Sequence, residues 1–229
     1  MRRPAASPPA QLPLDLGVEP RFGREDFLVG PSNEGAYGLI DLWPDWPARV
    51  LLVIGPKGSG KSHLSAIWAE MSGARTLAGR TLGNSDPNAL VNAGAMVIED
   101  LDQGPLHEPT LFHLINLISE KQAYLLITAR TMPDIWNLKT PDLLSRLRLA
   151  PALIIEAPDD ALLRALIVKQ FLDRQIVVDT SVVEYLLTRI ERSFSGVAAV
   201  VEALDREALA LGRRITRNIA AKVIERLVD

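Results

Sequence analysis

The sequence predicts an α/β fold, a mainly parallel sheet flanked by helices, followed by a small all-helical domain. Three observations carry this. Gly55-Pro56-Lys57-Gly58-Ser59-Gly60-Lys61-Ser62 has the G-x-x-x-x-G-K-[ST] spacing of a phosphate-binding loop, between the apolar run Val50–Ile54 and the helically spaced His63–Glu70. Short apolar runs then alternate with amphipathic segments up to Glu156. From Pro158 onward the periodicity is helical only. The expected organisation is a tail over 1–20, an α/β nucleotide-binding domain over 21–157 and a helical lid over 158–229.

The chemistry centres on the glycine loop. Its glycines let backbone N–H groups close around phosphates, and the helix behind it presents its positive end. Lys61 is spaced to reach the β- and γ-phosphates and Ser62 to ligate Mg²⁺. The expected binding set is Gly55, Pro56, Lys57, Gly58, Ser59, Gly60, Lys61, Ser62 and His63, with ADP or ATP and Mg²⁺ as cofactors.

The other elements follow in order. Residues 1–10 are rich in Pro, Ala and Ser, as in a flexible tail. Gln11-Leu12-Pro13-Leu14-Asp15-Leu16 reads either as an extended linker docking on its own domain or as a short peptide ligand with Gln11, Leu12, Leu14 and Leu16 as its contacts. Phe27 and Val29 precede Gly30-Pro31 and are candidates for an apolar slot under the base, or for plain packing. Ser32-Asn33 is expected to cap a helix over 33–43. Ala74–Leu77 predicts a short strand, and Asp86-Pro87 a short helix ending near Asn92. Ala95–Ile98 is a buried-type strand ending in Glu99-Asp100, the pattern in which one acid orders the Mg²⁺ shell and the other positions the attacking water. The candidate metal set is Ser62, Glu99 and Asp100, with Asp100 also a catalytic candidate. Pro109–Lys121 reads as a helix, Tyr124–Ile127 as a strand, Thr140-Pro141 as the start of a helix carrying Arg146, and Leu153–Glu156 as the last strand. Four helices are expected beyond it, over 159–175, 180–192, 195–211 and 216–228, with Thr180 and Thr216 as caps.

Composition narrows the function classes. Apolar residues make up 48% of the chain, enough for a packed core. A net charge of -3 weighs against a dedicated reader of duplex DNA. With no cysteine, disulfide and thiolate chemistry are excluded. No apolar run is long enough to cross a bilayer and Met1-Arg2-Arg3-Pro4 lacks a secretory core, so a cytoplasmic protein without a membrane partner is expected. His63, His107 and His113 have no metal-ligand spacing.

Three stretches carry a resemblance. Asp26-Phe27-Leu28-Val29-Gly30-Pro31-Ser32-Asn33, Gly60-Lys61-Ser62-His63-Leu64, and Asn137 through Leu147 with Ser145-Arg146 are together similar to the DnaA-like family of AAA+ ATPases, and to its short Hda branch in particular. The resemblance implies an AAA+ P-loop domain followed by a helical lid. It implies Arg146 as an arginine finger acting on a neighbour's nucleotide, and Gln11–Leu16 as a hexapeptide docking on the DNA polymerase sliding clamp (the beta subunit). The implied function is negative regulation of replication initiation through hydrolysis of DnaA-bound ATP, with DnaA and the clamp as partners and DNA reached only through the clamp. A homodimer is a further expectation. In that branch no helix-turn-helix domain follows the lid. Three positions depart from the pattern: Glu99 stands for an aspartate, Arg130 for an acidic sensor residue and Ser195 for a lid arginine that Arg192 would have to replace. Weak intrinsic ATPase activity with ADP preference is expected from them. The readings from other classes are a nucleotide-bound adaptor, a DNA-acting initiator or helicase-loader ATPase, and a small-molecule kinase.

Overall fold

The computed structural model describes residues 22–228, so the Gln11–Leu16 peptide lies outside the described residues. Five strands, β1 (Val50–Ile54), β2 (Arg75–Ala78), β3 (Ala95–Glu99), β4 (Tyr124–Ala129) and β5 (Ala152–Ile154), form one sheet in the order β2-β3-β4-β1-β5. Every pairing is parallel. Buried parallel strands must be apolar on both faces, and β1 is: Leu52 and Ile54 point into one core, Leu51 and Val53 into the other. The first core is closed by α3 (Pro87–Val91), α4 (Glu108–Glu120) and α5 (Pro141–Leu149), the second by α1 (Glu34–Asp41) and α2 (Lys61–Ser72).

The strand order places β4 between β1 and β3. The glycine loop after β1 and the acids after β3 therefore flank the end of β4 at the carboxyl edge of the sheet, where open α/β sheets bind ligands. Sequence periodicity gives strands but not their order.

Helices α6 (Asp160–Asp173), α7 (Thr180–Leu187), α8 (Phe194–Leu211) and α9 (Arg217–Val228) share a separate core built on Leu163, Ile167, Phe171, Leu186, Val201 and Leu204. Among the described residues, no helix is long and apolar enough to cross a membrane.

Several local expectations shift. Asn33 stands at the N-cap of α1 but makes no side-chain cap bond. Its Oδ1 accepts the Gly30 N–H at 2.8 Å and its Nδ2 donates to the Leu28 carbonyl at 2.9 Å, so it pins the preceding loop. The last strand begins and ends earlier than the apolar run suggests. Ile155 still donates to the Ile54 carbonyl, but Glu156 donates to the Ser32 carbonyl and leaves the ladder. Asp179, not Thr180, caps α7, accepting the Ser181 N–H at 2.8 Å. That helix stops at Leu187 rather than running to Arg192, and Ser193 caps the next one. Short 3-10 turns at Gly79–Asn84 and Pro133–Ile135 carry no periodicity the sequence could reveal.

Candidate functional site

The glycine loop joins β1 to α2 and is packed on several sides. A Cβ at Gly55 would lie 2.5 Å from the Ile155 carbonyl oxygen. Gly58 has φ +70, and a Cβ there would overlap the Ser195 hydroxyl. Phe194 donates its N–H to the Gly58 carbonyl at 2.7 Å. Ser193, buried beside it, caps α8 through the Gly196 N–H and lies 3.1 Å from the Ser195 hydroxyl. The first turn of α8 is thus seated directly on the loop.

Lys61 is buried, with 6% of its surface exposed. Its Nζ donates to the carbonyls of Gly55 at 2.8 Å and Pro56 at 2.7 Å. Burial pushes the ammonium below its usual range, and the nearby Asp100 carboxylate pulls the other way. A phosphate there would supply the counter-charge that the folded chain alone gives only partly. Ser59 Oγ is buried without a hydrogen-bond partner among the described residues, a cost that proteins accept mainly where something else completes the site. An orphaned hydroxyl, glycines without room for a side chain and a desolvated cation all fit a nucleotide phosphate chain.

The acids divide. Glu99 Oε1 accepts the Ser65 hydroxyl at 2.7 Å, one helical turn beyond Ser62. Asp100 has φ +51 and is exposed; its N–H donates to the Thr128 hydroxyl of β4 at 2.9 Å. Ser62 is exposed at the start of α2. Among the described residues, no group of three or more acids and histidines could hold a metal alone. Mg²⁺ is commonly held by one or two carboxylates with substrate phosphates completing its shell, so Ser62, Glu99 and Asp100 remain consistent with it.

Sequence reasoning missed Asp102. One of its carboxylate oxygens accepts the N–H groups of Arg130 and Thr131 and the Thr131 hydroxyl at 2.9, 3.0 and 2.9 Å. It ties the end of β4 to the turn after β3, leaving Arg130 exposed. An acid two residues beyond Asp100 was the available signal. Phe27 is buried, stacks on Tyr37 and Phe194, and would touch a Cβ at Gly60. Val29 is 48% exposed. His63 has its Nε2 2.8 Å from the Gly23 carbonyl and its ring edge-on to Phe22 and Phe27. Arg192, the sequence candidate for a lid arginine, is engaged within the chain. It bonds to Asp160 at 2.6 Å and the Pro158 carbonyl at 3.0 Å.

Arg146 is exposed on α5, its guanidinium 5.3 Å from the centroid of the Phe112 ring. Arg148, two residues on, takes the ion pair with Asp134. The start of α5 is fixed by Glu108, whose two carboxylate oxygens accept the N–H groups of Lys139 and Thr140 at 2.9 and 2.8 Å. The Lys139 bond, then that of Thr140, holds the Glu108 carboxyl below its usual range.

A sheet of order β2-β3-β4-β1-β5, a phosphate loop after β1, acids after β3 and a helical lid seated on the loop define the class: an AAA+-type P-loop domain with its lid. Residues 159–222 match the family described as Hda, lid domain. The chromosomal replication initiator DnaA of Caulobacter vibrioides is 37% identical over 73 residues, 30% of this chain and 15% of the initiator. DnaA of Thermomicrobium roseum is 25% identical over 241 residues, 91% of this chain and 50% of that protein. The chain thus spans half or less of the curated relatives it matches. Domain III of Thermotoga maritima DnaA superposes with a TM-score of 0.74 at 15% identity, covering 89% of this chain and 95% of that one. AMPPCP-bound DnaA from Aquifex aeolicus gives 0.68 at 17% identity, covering 86% and 69%. The chain thus shares the fold of DnaA domain III, and residues 159–222 match the Hda lid-domain family.

Two outcomes are expected. Gly58→Ala strains a left-handed backbone by about 1–2 kcal/mol and also unseats the lid. In a double-mutant cycle followed by urea unfolding, Ser195→Gly should relieve part of that loss; strict additivity would mean the lid does not press on the loop. Glu108→Gln should destabilise the protein above about pH 4.5, where the wild-type carboxylate is ionised, by about 1 kcal/mol for partly exposed charge-assisted bonds. Because the folded carboxyl titrates below its unfolded value, the difference should fade as pH falls through that lower range, as followed by thermal unfolding.

Proposed function

We propose that the chain is a nucleotide-bound regulator of replication initiation that docks on the DNA-loaded sliding clamp through Gln11–Leu16 and stimulates hydrolysis of DnaA-bound ATP by presenting Arg146 in trans. The observation that carries the reading is the state of Arg146. It is exposed, without a carboxylate partner among the described residues, on a helix whose first turn is locked by Glu108. An arginine finger is an exposed cation on a rigid support, because its work is to meet charge developing on another molecule's phosphates.

The chain's own nucleotide fits the same role. Gly55 through Ser62 would hold the phosphates, Lys61 would neutralise them, and Phe27 packs beneath the loop. AMPPCP bound to similar initiators supports a nucleotide at this loop. Mg²⁺ held by Ser62 with Glu99 and Asp100 would offset phosphate charge. Glu99 is engaged by Ser65, the lid arginine is replaced by Ser195, and Arg192 is tied to Asp160. These three features support slow intrinsic turnover and a retained ADP, so that the nucleotide organises the lid more than it reacts. They also favour the second reading, an adaptor that binds nucleotide and stimulates nothing.

Purified DnaA carrying ATP, clamp loaded on DNA, and this chain separate the two. Arg146→Ala should keep nucleotide and clamp binding while its stimulation falls by about 10³-fold or more, the scale of arginine-finger losses. Replacing Gln11 and Leu14 by Ala should abolish clamp binding and, with it, stimulation. Undiminished stimulation by Arg146→Ala would remove the finger, and no stimulation by the wild-type chain with both bindings intact would establish the adaptor.

A further inference from the structure

The lid's cations are not evenly neutralised. Arg164 pairs with Glu184, Arg192 with Asp160, Arg206 with Glu202, Arg226 with Glu207, and Lys169 with Asp26 and Asp173. Arg189, Arg213, Arg214 and Arg217 are exposed and make no ion pair among the described residues. These four are grouped. Arg213 and Arg214 form the turn between α8 and α9, Arg217 opens α9, and Arg189 follows α7, which packs on α9. Tyr185 joins two of them: the guanidinium carbons of Arg189 and Arg217 lie 4.1 and 5.1 Å from its ring centroid. Arg189 is held further by the Thr188 hydroxyl at 2.7 Å.

The stretch that carries Arg213, Arg214 and Arg217 contains no acid of its own. From Ala208 to Ile224 the chain carries Arg213, Arg214, Arg217 and Lys222 and no acid. Asp205 borders the groove beside Arg213 and Arg214 but pairs with neither. Such a cluster is self-repelling in the free protein and gains most from a partner with regularly spaced negative charge. All four residues are arginine, whose flat fork matches phosphate oxygens, and stacking on Tyr185 orders two of those forks before any partner arrives.

We propose that this edge of the lid binds the phosphate backbone of duplex nucleic acid, without reading sequence. The net charge of -3 describes the whole chain and does not forbid a local basic face. This contact is direct, in addition to any approach to DNA through the clamp, and it does not require the arginine-finger reading.

The test is fluorescence anisotropy of the full chain with a labelled DNA duplex of mixed sequence between 50 and 200 mM NaCl. Binding in the range of about 10⁻⁴–10⁻⁶ M is expected for non-specific contacts near physiological salt, with a log–log salt slope of about -3 to -4 for four phosphates. Arg213→Glu with Arg217→Glu should weaken binding at least tenfold and lower the slope by about two. The milder pair Arg213→Gln with Arg217→Gln should do the same to a smaller degree, with circular dichroism unchanged. A charge-matched pair in the α/β domain, Arg75→Glu with Lys121→Glu, should leave both nearly as they are. Equal losses from the two charge-reversing pairs, wild-type affinity in the lid pair, or binding to phosphatidylserine vesicles without binding to the duplex would each overturn the proposal.

Discussion

Gly55, Gly58 and Gly60 stand where separate parts of the chain press on the phosphate loop. The residue after β5 closes on the first, the start of α8 on the second, and the rings of Phe27 and Phe194 on the third. A side chain at Gly55 or Gly58 would force its neighbour outward, while at Gly60 the left-handed backbone, φ +97, is what calls for glycine. The loop must also keep its own amides free for phosphate. Together these demands fix how closely sheet, N-terminal segment and lid approach one another. The hydrogen bond from Phe194 to the Gly58 carbonyl makes this explicit, since a lid residue bonds directly to the loop's backbone. Lid position and loop shape are therefore parts of one arrangement.

Much of this was legible in the sequence. The loop's spacing, the apolar run before it and the helical run after it are local signals, and they placed the phosphate site. Asp86-Pro87 capped its short helix as written, with Asp86 accepting the Asn88 N–H. What could not be read was set by the sheet. Nothing in Tyr124–Ala129 says that it lies between β1 and β3, yet that order brings Thr128 to Asp100, and Asp102 to Arg130 and Thr131. The Asn33 cap failed because a side chain able to cap a helix can also serve the loop before it, and here the Gly30 and Leu28 backbone groups took both ends of the amide. The engagement of Arg192 by Asp160, 32 residues away along the chain, was likewise not readable from the sequence.

The charges of the α/β domain and lid follow one division. Several arginines are met by an acid, as with Arg148 and Asp134 or Arg164 and Glu184. Arg146, Arg189 and Arg217 rest on aromatic rings instead, which hold a guanidinium in place without neutralising it. The distinction is invisible in composition, because paired and unpaired arginines count alike. Only the positions of the acids and rings, brought together by the fold, separate them.

The path by which the chain enters the described residues has a mechanical consequence. Gly23 is held by His63, on the helix that leaves the phosphate loop, and Asp26 by Lys169 on the first helix of the lid. The chain is thus moored, three residues apart, to the helix behind the loop and to the first helix of the lid. A load applied ahead of Phe22 would be borne at that joint and shared between its two sides, rather than on one outer surface. Tension there and the tilt of the lid would then be reciprocal: what steadies one steadies the other.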